Sequence, residues 1–132
     1  MPQITVHSLE AYYRDEGSGT PALLGHSSTG SSGQWRELFR RMSGRYRLVA
    51  PDHIGYGRTP PYSGSLPLME VEIAIIEELM GLIGQPVHLV GDSFGGSLLA
   101  RAAVRMPEQV RSLTLTSESC QERSFPFRPT AG

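Results

Sequence analysis

The chain is 132 residues long, enough for one domain and too short for a second independent core. Hydrophobic residues make up 39% and charged residues 19%, which excludes disorder, and a formal net charge of −1 excludes a general electrostatic pull toward nucleic acid or an anionic membrane. A lone cysteine, Cys120, excludes an internal disulfide, and with no charged-then-apolar leader at Met1–Val6 and no apolar run near the roughly 20 residues that span a bilayer, the expected location is cytoplasmic.

Ile4 to Leu9 and Ala11 to Glu16 alternate polar and apolar residues and predict an opening hairpin, with His7 on its first strand and Glu16-Gly17-Ser18-Gly19 closing it. Ala22-Leu23-Leu24 is a short apolar strand running into a Gly/Ser/Thr loop from Gly25 to Gly33. Gln34 to Met42 carries Trp35, Leu38, Phe39 and Met42 at helical spacing and stops at Gly44. Tyr46 to Ala50 is a strand cut by Pro51. Ser65 to Ile83 predicts a helix with Val71, Ile75, Leu79 and Ile83 on one face and Gly84 and Pro86 ending it. Val87 to Val90 is a strand, Phe94 to Met106 a helix stopped by Pro107, and Ser112 to Thr116 a last strand. Strands alternating with helices of this length imply an α/β fold: a mostly parallel sheet with right-handed crossovers and helices on both faces.

Gly91-Asp92-Ser93-Phe94-Gly95-Gly96 is a G-x-S-x-G motif between a predicted strand and a predicted helix. Nucleophilic serine chemistry needs this placement. A sharp strand-to-helix turn lifts Oγ above the sheet, glycines make room for it, and the helix N-terminus offers N–H groups to a developing oxyanion. The plainer alternative is a loop serine capping the helix.

With this motif in that context, the chain resembles the N-terminal portion of the α/β-hydrolase family, serine-hydrolase type, over nearly all of Ile4 to Thr116. Three further blocks carry the resemblance: His26-Ser27-Ser28-Thr29-Gly30, Asp52-His53-Ile54-Gly55-Tyr56-Gly57-Arg58-Thr59, and Met106-Pro107-Glu108-Gln109-Val110-Arg111-Ser112-Leu113. The resemblance implies Ser93 as nucleophile and the backbone N–H groups of Phe94 and Ser28 as an oxyanion hole, with His26 and Ser27 in the loop that forms it. It implies an organising role for His26 and a turn-holding role for Asp52. The implied activity is hydrolysis of a small ester-like substrate, with no cofactor and no metal. Tyr56, Tyr62 and Trp35 are candidates to line a pocket, Trp35 equally a core residue; His53 and His88 have no role in this reading. Two positions depart from the family pattern: Ser27 replaces the glycine of a His-Gly pair, and Asp92 stands where histidine or glutamine is common. An aspartate nucleophile at 92, as in dehalogenases, does not fit, because Ser93 is the residue that precedes Phe94-Gly95-Gly96.

In this fold the triad runs Ser, then Asp or Glu, then His. After Ser93 the chain has no histidine and no aspartate, and its later acids are Glu108, Glu118 and Glu122. The expectation is a truncated core over residues 1–116, an irregular tail over 117–132, and impaired activity for want of a base. The strand at 112–116 is then an exposed edge open to self-association. The alternative function is a non-catalytic fragment or pseudoenzyme, serving as an interaction or small-molecule-binding module.

Overall fold

A computed structural model describes residues 1–116; Cys120, Glu118, Glu122 and the expected tail over 117–132 lie outside the described residues. Six strands form one sheet: β1 (Gln3–Val6), β2 (Leu9–Glu16), β3 (Thr20–Gly25), β4 (Tyr46–Pro51), β5 (Val87–Asp92) and β6 (Val110–Thr116), in the order β1-β2-β4-β3-β5-β6. β4, β3, β5 and β6 are mutually parallel, while β1–β2 and β2–β4 are antiparallel. β4 runs one residue past the expected Ala50, with Pro51 still paired to Tyr13.

Helices α2 (Leu68–Ile83) and α3 (Phe94–Arg105) cover one face, and α1 (Arg36–Met42) lies on the other. Two cores result. Val71, Ile75, Leu79 and Ile83 of α2 pack with Leu23, Val49, Leu89 and Leu99, whereas Phe39 of α1 packs with Ala22, Leu24, Leu48 and Ala50 on the opposite side. Full burial of each such large side chain contributes roughly 1.5–3 kcal/mol. Strand β3, covered on both faces, is buried from Pro21 to Gly25, the pattern of a central parallel strand.

Most elements differ from the sequence reading by one or two residues at an end, β3 and β5 running longer and α1 starting at Arg36 after a 3₁₀ turn, and three differences matter to the fold. His7 is not on a strand: with Ser8 it forms the two-residue hairpin turn, at φ 48° and 66°, between the paired residues Val6 and Leu9. Such turns need two left-handed residues and usually signal themselves by Asn or Gly, both absent here. Helix α2 begins at Leu68 rather than Ser65, because Pro67 disfavours helical geometry at Leu66 and itself takes the flanking position. It ends where expected, at a left-handed Gly84 with φ 73°. A 3₁₀ turn at Pro107–Gln109 leads into β6 two residues earlier than expected.

Among the described residues, β6 is a sheet edge, with Thr114, Leu115 and Thr116 exposed. No helix among them is long and apolar enough to cross a membrane.

Candidate active site

β5 runs directly into α3 through Ser93, whose backbone stands at φ 54°, ψ −114°. A non-glycine residue there costs on the order of 1–3 kcal/mol and persists only where its surroundings enforce it. Those surroundings are backbone. A Cβ on Gly95 would lie 2.1 Å from the Gly25 carbonyl oxygen, one on Gly91 2.5 Å from Gly96 Cα, and one on Gly25 3.0 Å from the Gly95 oxygen. Helix α3 is thus seated glycine-against-glycine on β3 and β5, and the chain can enter it only by a sharp bend. Ser93 N–H donates to the Thr116 carbonyl (3.0 Å), and its own carbonyl accepts from Ser97 N–H (3.1 Å). The plain N-cap alternative fails on geometry. A capping serine has extended backbone and bonds the first helical amides, whereas Ser93 has a positive φ and makes no such side-chain bond.

The loop after β3 is organised by His26, which is fully buried. Its Nδ1 lies 2.7 Å from the Ser27 carbonyl and its Nε2 2.9 Å from the His53 backbone N–H. A carbonyl only accepts and an amide N–H only donates, so His26 is the neutral Nδ1–H tautomer. Burial lowers its pKa, opposed by the Ser27 carbonyl and by Asp52. With the Nε2 lone pair engaged, this imidazole is a loop organiser. Ser27 is not at positive φ, and its hydroxyl bonds that of Thr29 (3.1 Å), so its Cβ is accommodated without backbone strain. Ser28 follows at an exposed position.

Asp52 holds two segments together, accepting from Ser32 N–H (2.7 Å) and Arg58 N–H (3.1 Å). The adjoining His53 was missed by the sequence reading. It is 2% exposed, stacks on His26 at 4.1 Å between ring centroids, and presents its ring to Phe94 at 5.6 Å. Glu72 of α2, equally unforeseen and 3% exposed, accepts from Ile54 N–H (2.9 Å) and places its other oxygen 3.9 Å from His53 Nδ1. Burial holds His53 down to about 3 and pushes the Glu72 carboxyl up to about 7. Below pH 7, down to about 3, both are therefore largely neutral. A polar residue on the buried side of an amphipathic helix was the one available sequence signal, but its partner lies eighteen residues away in another element.

Both carboxylate oxygens of Asp92 are engaged. One oxygen accepts from the Gln34 side-chain amide (2.5 Å), the other from the Thr116 hydroxyl (3.1 Å). Gln34 in turn accepts from Ser27 N–H (2.9 Å). His88, on the α1 face, bonds Ser112 (2.7 Å) and meets Tyr46 edge-on, far from the elbow's face of the sheet. Tyr56 packs edge-on against His26, whereas Tyr62 and Trp35 pack against the two cores. Glu108 lies just before β6, at the end of the sheet opposite Asp92 and Thr116.

A mostly parallel sheet in which β5 bends through a strained serine into a glycine-seated helix defines the α/β-hydrolase class of fold. The sequence profile of the alpha/beta hydrolase fold family matches residues 21–131, and the chain belongs to that family. A 2-hydroxymuconate semialdehyde hydrolase from Pseudomonas putida is 39% identical over 123 residues, covering 86% of this chain and 43% of that protein. The structure of a meta-cleavage product hydrolase from Pseudomonas fluorescens IP01 superposes with TM-score 0.74 at 30% identity, over 85% of this chain and 43% of that one. An epoxide hydrolase from Bacillus megaterium superposes with TM-score 0.78 at 26% identity, over 86% and 41%. The chain thus spans about two fifths of the length of the relatives it matches.

Proposed function

We propose that this chain is the nucleophile-bearing part of a serine hydrolase acting on a small ester-like carbonyl substrate. Ser93 Oγ attacks the carbonyl carbon, and the amides of Phe94 and Ser28 stabilise the oxyanion that forms. The observation that carries the reading is the strained φ of Ser93 in a turn walled by Gly25, Gly91 and Gly95. A helix cap needs no such conformation, while a nucleophile lifted above the sheet does.

The identity of the nucleophile selects among the activities of the similar proteins. Attack by serine on an ester carbonyl gives a tetrahedral oxyanion that collapses with loss of the protonated alcohol, leaving an acyl-enzyme ester that water can cleave. Attack on the saturated carbon of an epoxide would give an ether, which water would not. Likeness to the epoxide hydrolase therefore supports the fold, and the ester chemistry proposed here rests on Ser93 as the attacking residue.

Serine needs a base at neutral pH. His26 has its Nε2 engaged, His7 is in the hairpin turn and His88 is on the other face; His53, held near 3, is too weak a base to accept the proton effectively. In this reading the imidazole comes from polypeptide outside these 132 residues. The chain alone is expected to react about 10⁴–10⁶-fold below a complete triad.

The test is modification of the folded chain by a fluorophosphonate with and without added imidazole, the adduct being located by mass spectrometry. Labelling at Ser93 that rises with imidazole, and is absent in Ser93→Ala, is the expected result. A folded chain that labels elsewhere, or not at Ser93 even with imidazole, removes the reading. A second reading, a non-catalytic interaction module, is favoured by the exposed edge of β6 together with the engagement of His26. That reading calls for tight partner binding that survives Ser93→Ala.

A further inference from the structure

We infer that Gln34 is a positioning residue, clamped by Asp92, that fixes the direction of the Ser28 N–H; the inference rests on the reading of Ser93 as nucleophile and Ser28 N–H as an oxyanion donor. Ser27 has both of its backbone polar groups held. Its N–H donates to Gln34 Oε1 at 2.9 Å, and its carbonyl takes the His26 Nδ1–H at 2.7 Å and the Gly30 N–H at 3.1 Å. The peptide joining Ser27 to Ser28 is planar and trans, so its N–H points opposite to its C=O. Holding the Ser27 carbonyl toward the buried imidazole thus aims the Ser28 N–H away from it. Two anchors on either side of the Ser27 Cα remove the rotation that one anchor would leave.

Gln34 can do this because its own orientation has one solution. The Ser27 amide can only donate and the Asp92 carboxylate can only accept, so Oε1 must face Ser27 and Nε2 must face Asp92. Asp92, the residue before Ser93, is tied in turn to Thr116 at the end of β6. A line of hydrogen bonds therefore joins the ends of β5 and β6, the turn before α1 and the loop after β3. It also explains the departure at position 92, since a carboxylate there has a donor waiting on each oxygen.

Gln34→Glu and the double variant Gln34→Glu with Asp92→Asn make the test. In the single variant the carboxylate introduced at position 34 can still accept from Ser27 but meets the Asp92 carboxylate as a like charge, and the clamp opens. In the double variant the side-chain amide introduced at position 92 donates to the carboxylate at position 34, restoring the line with its polarity reversed. Imidazole-assisted labelling of Ser93 should fall at least about tenfold in Gln34→Glu, through the maximal rate rather than half-saturation, and recover in the double variant. The Ser27 amide should lose hydrogen-exchange protection in the single variant and regain it in the double. Equal labelling of wild type and Gln34→Glu would overturn the inference while leaving Ser93 standing as nucleophile. If wild type does not label at all, the nucleophile reading falls separately. The exchange data then decide: protection lost and recovered supports the clamp, and unchanged protection overturns it.

Discussion

A methyl group added at Gly95 would sit 2.1 Å from the Gly25 carbonyl oxygen and 2.6 Å from that of His26, and neither atom is the free end of a side chain. Relief requires α3 to lift from β3, which undoes the packing of Leu99 and Ala102 as well as the bend at Ser93. Gly95→Ala is therefore expected to lose at least about 3 kcal/mol in urea unfolding, beyond ordinary overpacking. Gly81 gives the opposite case. It lies inside α2, is not at positive φ, and has nothing within 4 Å of an added Cβ. Gly81→Ala should raise stability by about 0.5–1 kcal/mol through helix propensity and a less flexible unfolded chain. The same substitution thus has opposite signs at two helical glycines, and a result of equal sign would show that the glycine seat does not constrain the elbow.

Helix α2 is joined to the 52–59 turn by a carboxyl that is neutral at low pH and charged at high pH. Glu72 is raised by burial from 4.5 to about 7, so its contribution to stability is intact below about 4.5 and is lost as pH rises through 7. His53, lowered by burial from 6.5 to about 3, works the other way: its contribution is intact above 6.5 and is lost as pH falls toward 3. Between 4.5 and 6.5 the two oppose, which should flatten the stability profile of the wild type. Glu72→Gln keeps an acceptor for Ile54 N–H and removes one of the two slopes. Its stability relative to wild type should rise across pH 4.5 to 7, by up to about 3 kcal/mol, in urea titrations at several pH values. A constant difference across that range would mean that Glu72 does not titrate in the folded state. This pairing also marks how far the sequence could be read. Val71, Ile75, Leu79 and Ile83 announced α2 and its buried face, and Gly91, Ser93 and Gly95 announced the elbow, because each signal is a spacing within one element. The His7–Ser8 turn gave no such signal, since its residues are not the usual ones for positive φ. The Glu72–His53 contact and the Asp92–Gln34–Ser27 line were illegible for another reason: each joins side chains on separate elements, and only the packing of the sheet brings them together.

At the scale of the molecule, β6 leaves, among the described residues, a row of backbone donors and acceptors along one side of the sheet, and Leu115 there is 38% exposed. Beside it, on the α1 face, lies an open groove of about 220 Å³ lined largely by apolar side chains, Leu24, Leu38, Met42 and Val90 among them. We propose that two copies pair β6 against β6 about a twofold axis, continuing the sheet and covering part of that groove from each side. The alternative is that the edge stays solvated, which natural sheets usually secure with charges or proline; β6 carries one exposed charge, Arg111 near its start, and from Ser112 to Thr116 it has neither. Thr114 is exposed on β6 and lines the groove, so lysine there brings like charges together across the axis while leaving the monomer core untouched. Sedimentation of the wild-type chain should show a concentration-dependent monomer–dimer equilibrium in the micromolar range, and Thr114→Lys should shift it at least about tenfold toward monomer. The melting temperature of the variant at low concentration should match that of wild type, since nothing buried has changed. A wild-type chain that sediments as a monomer from micromolar to near-millimolar concentration would rule out the pairing.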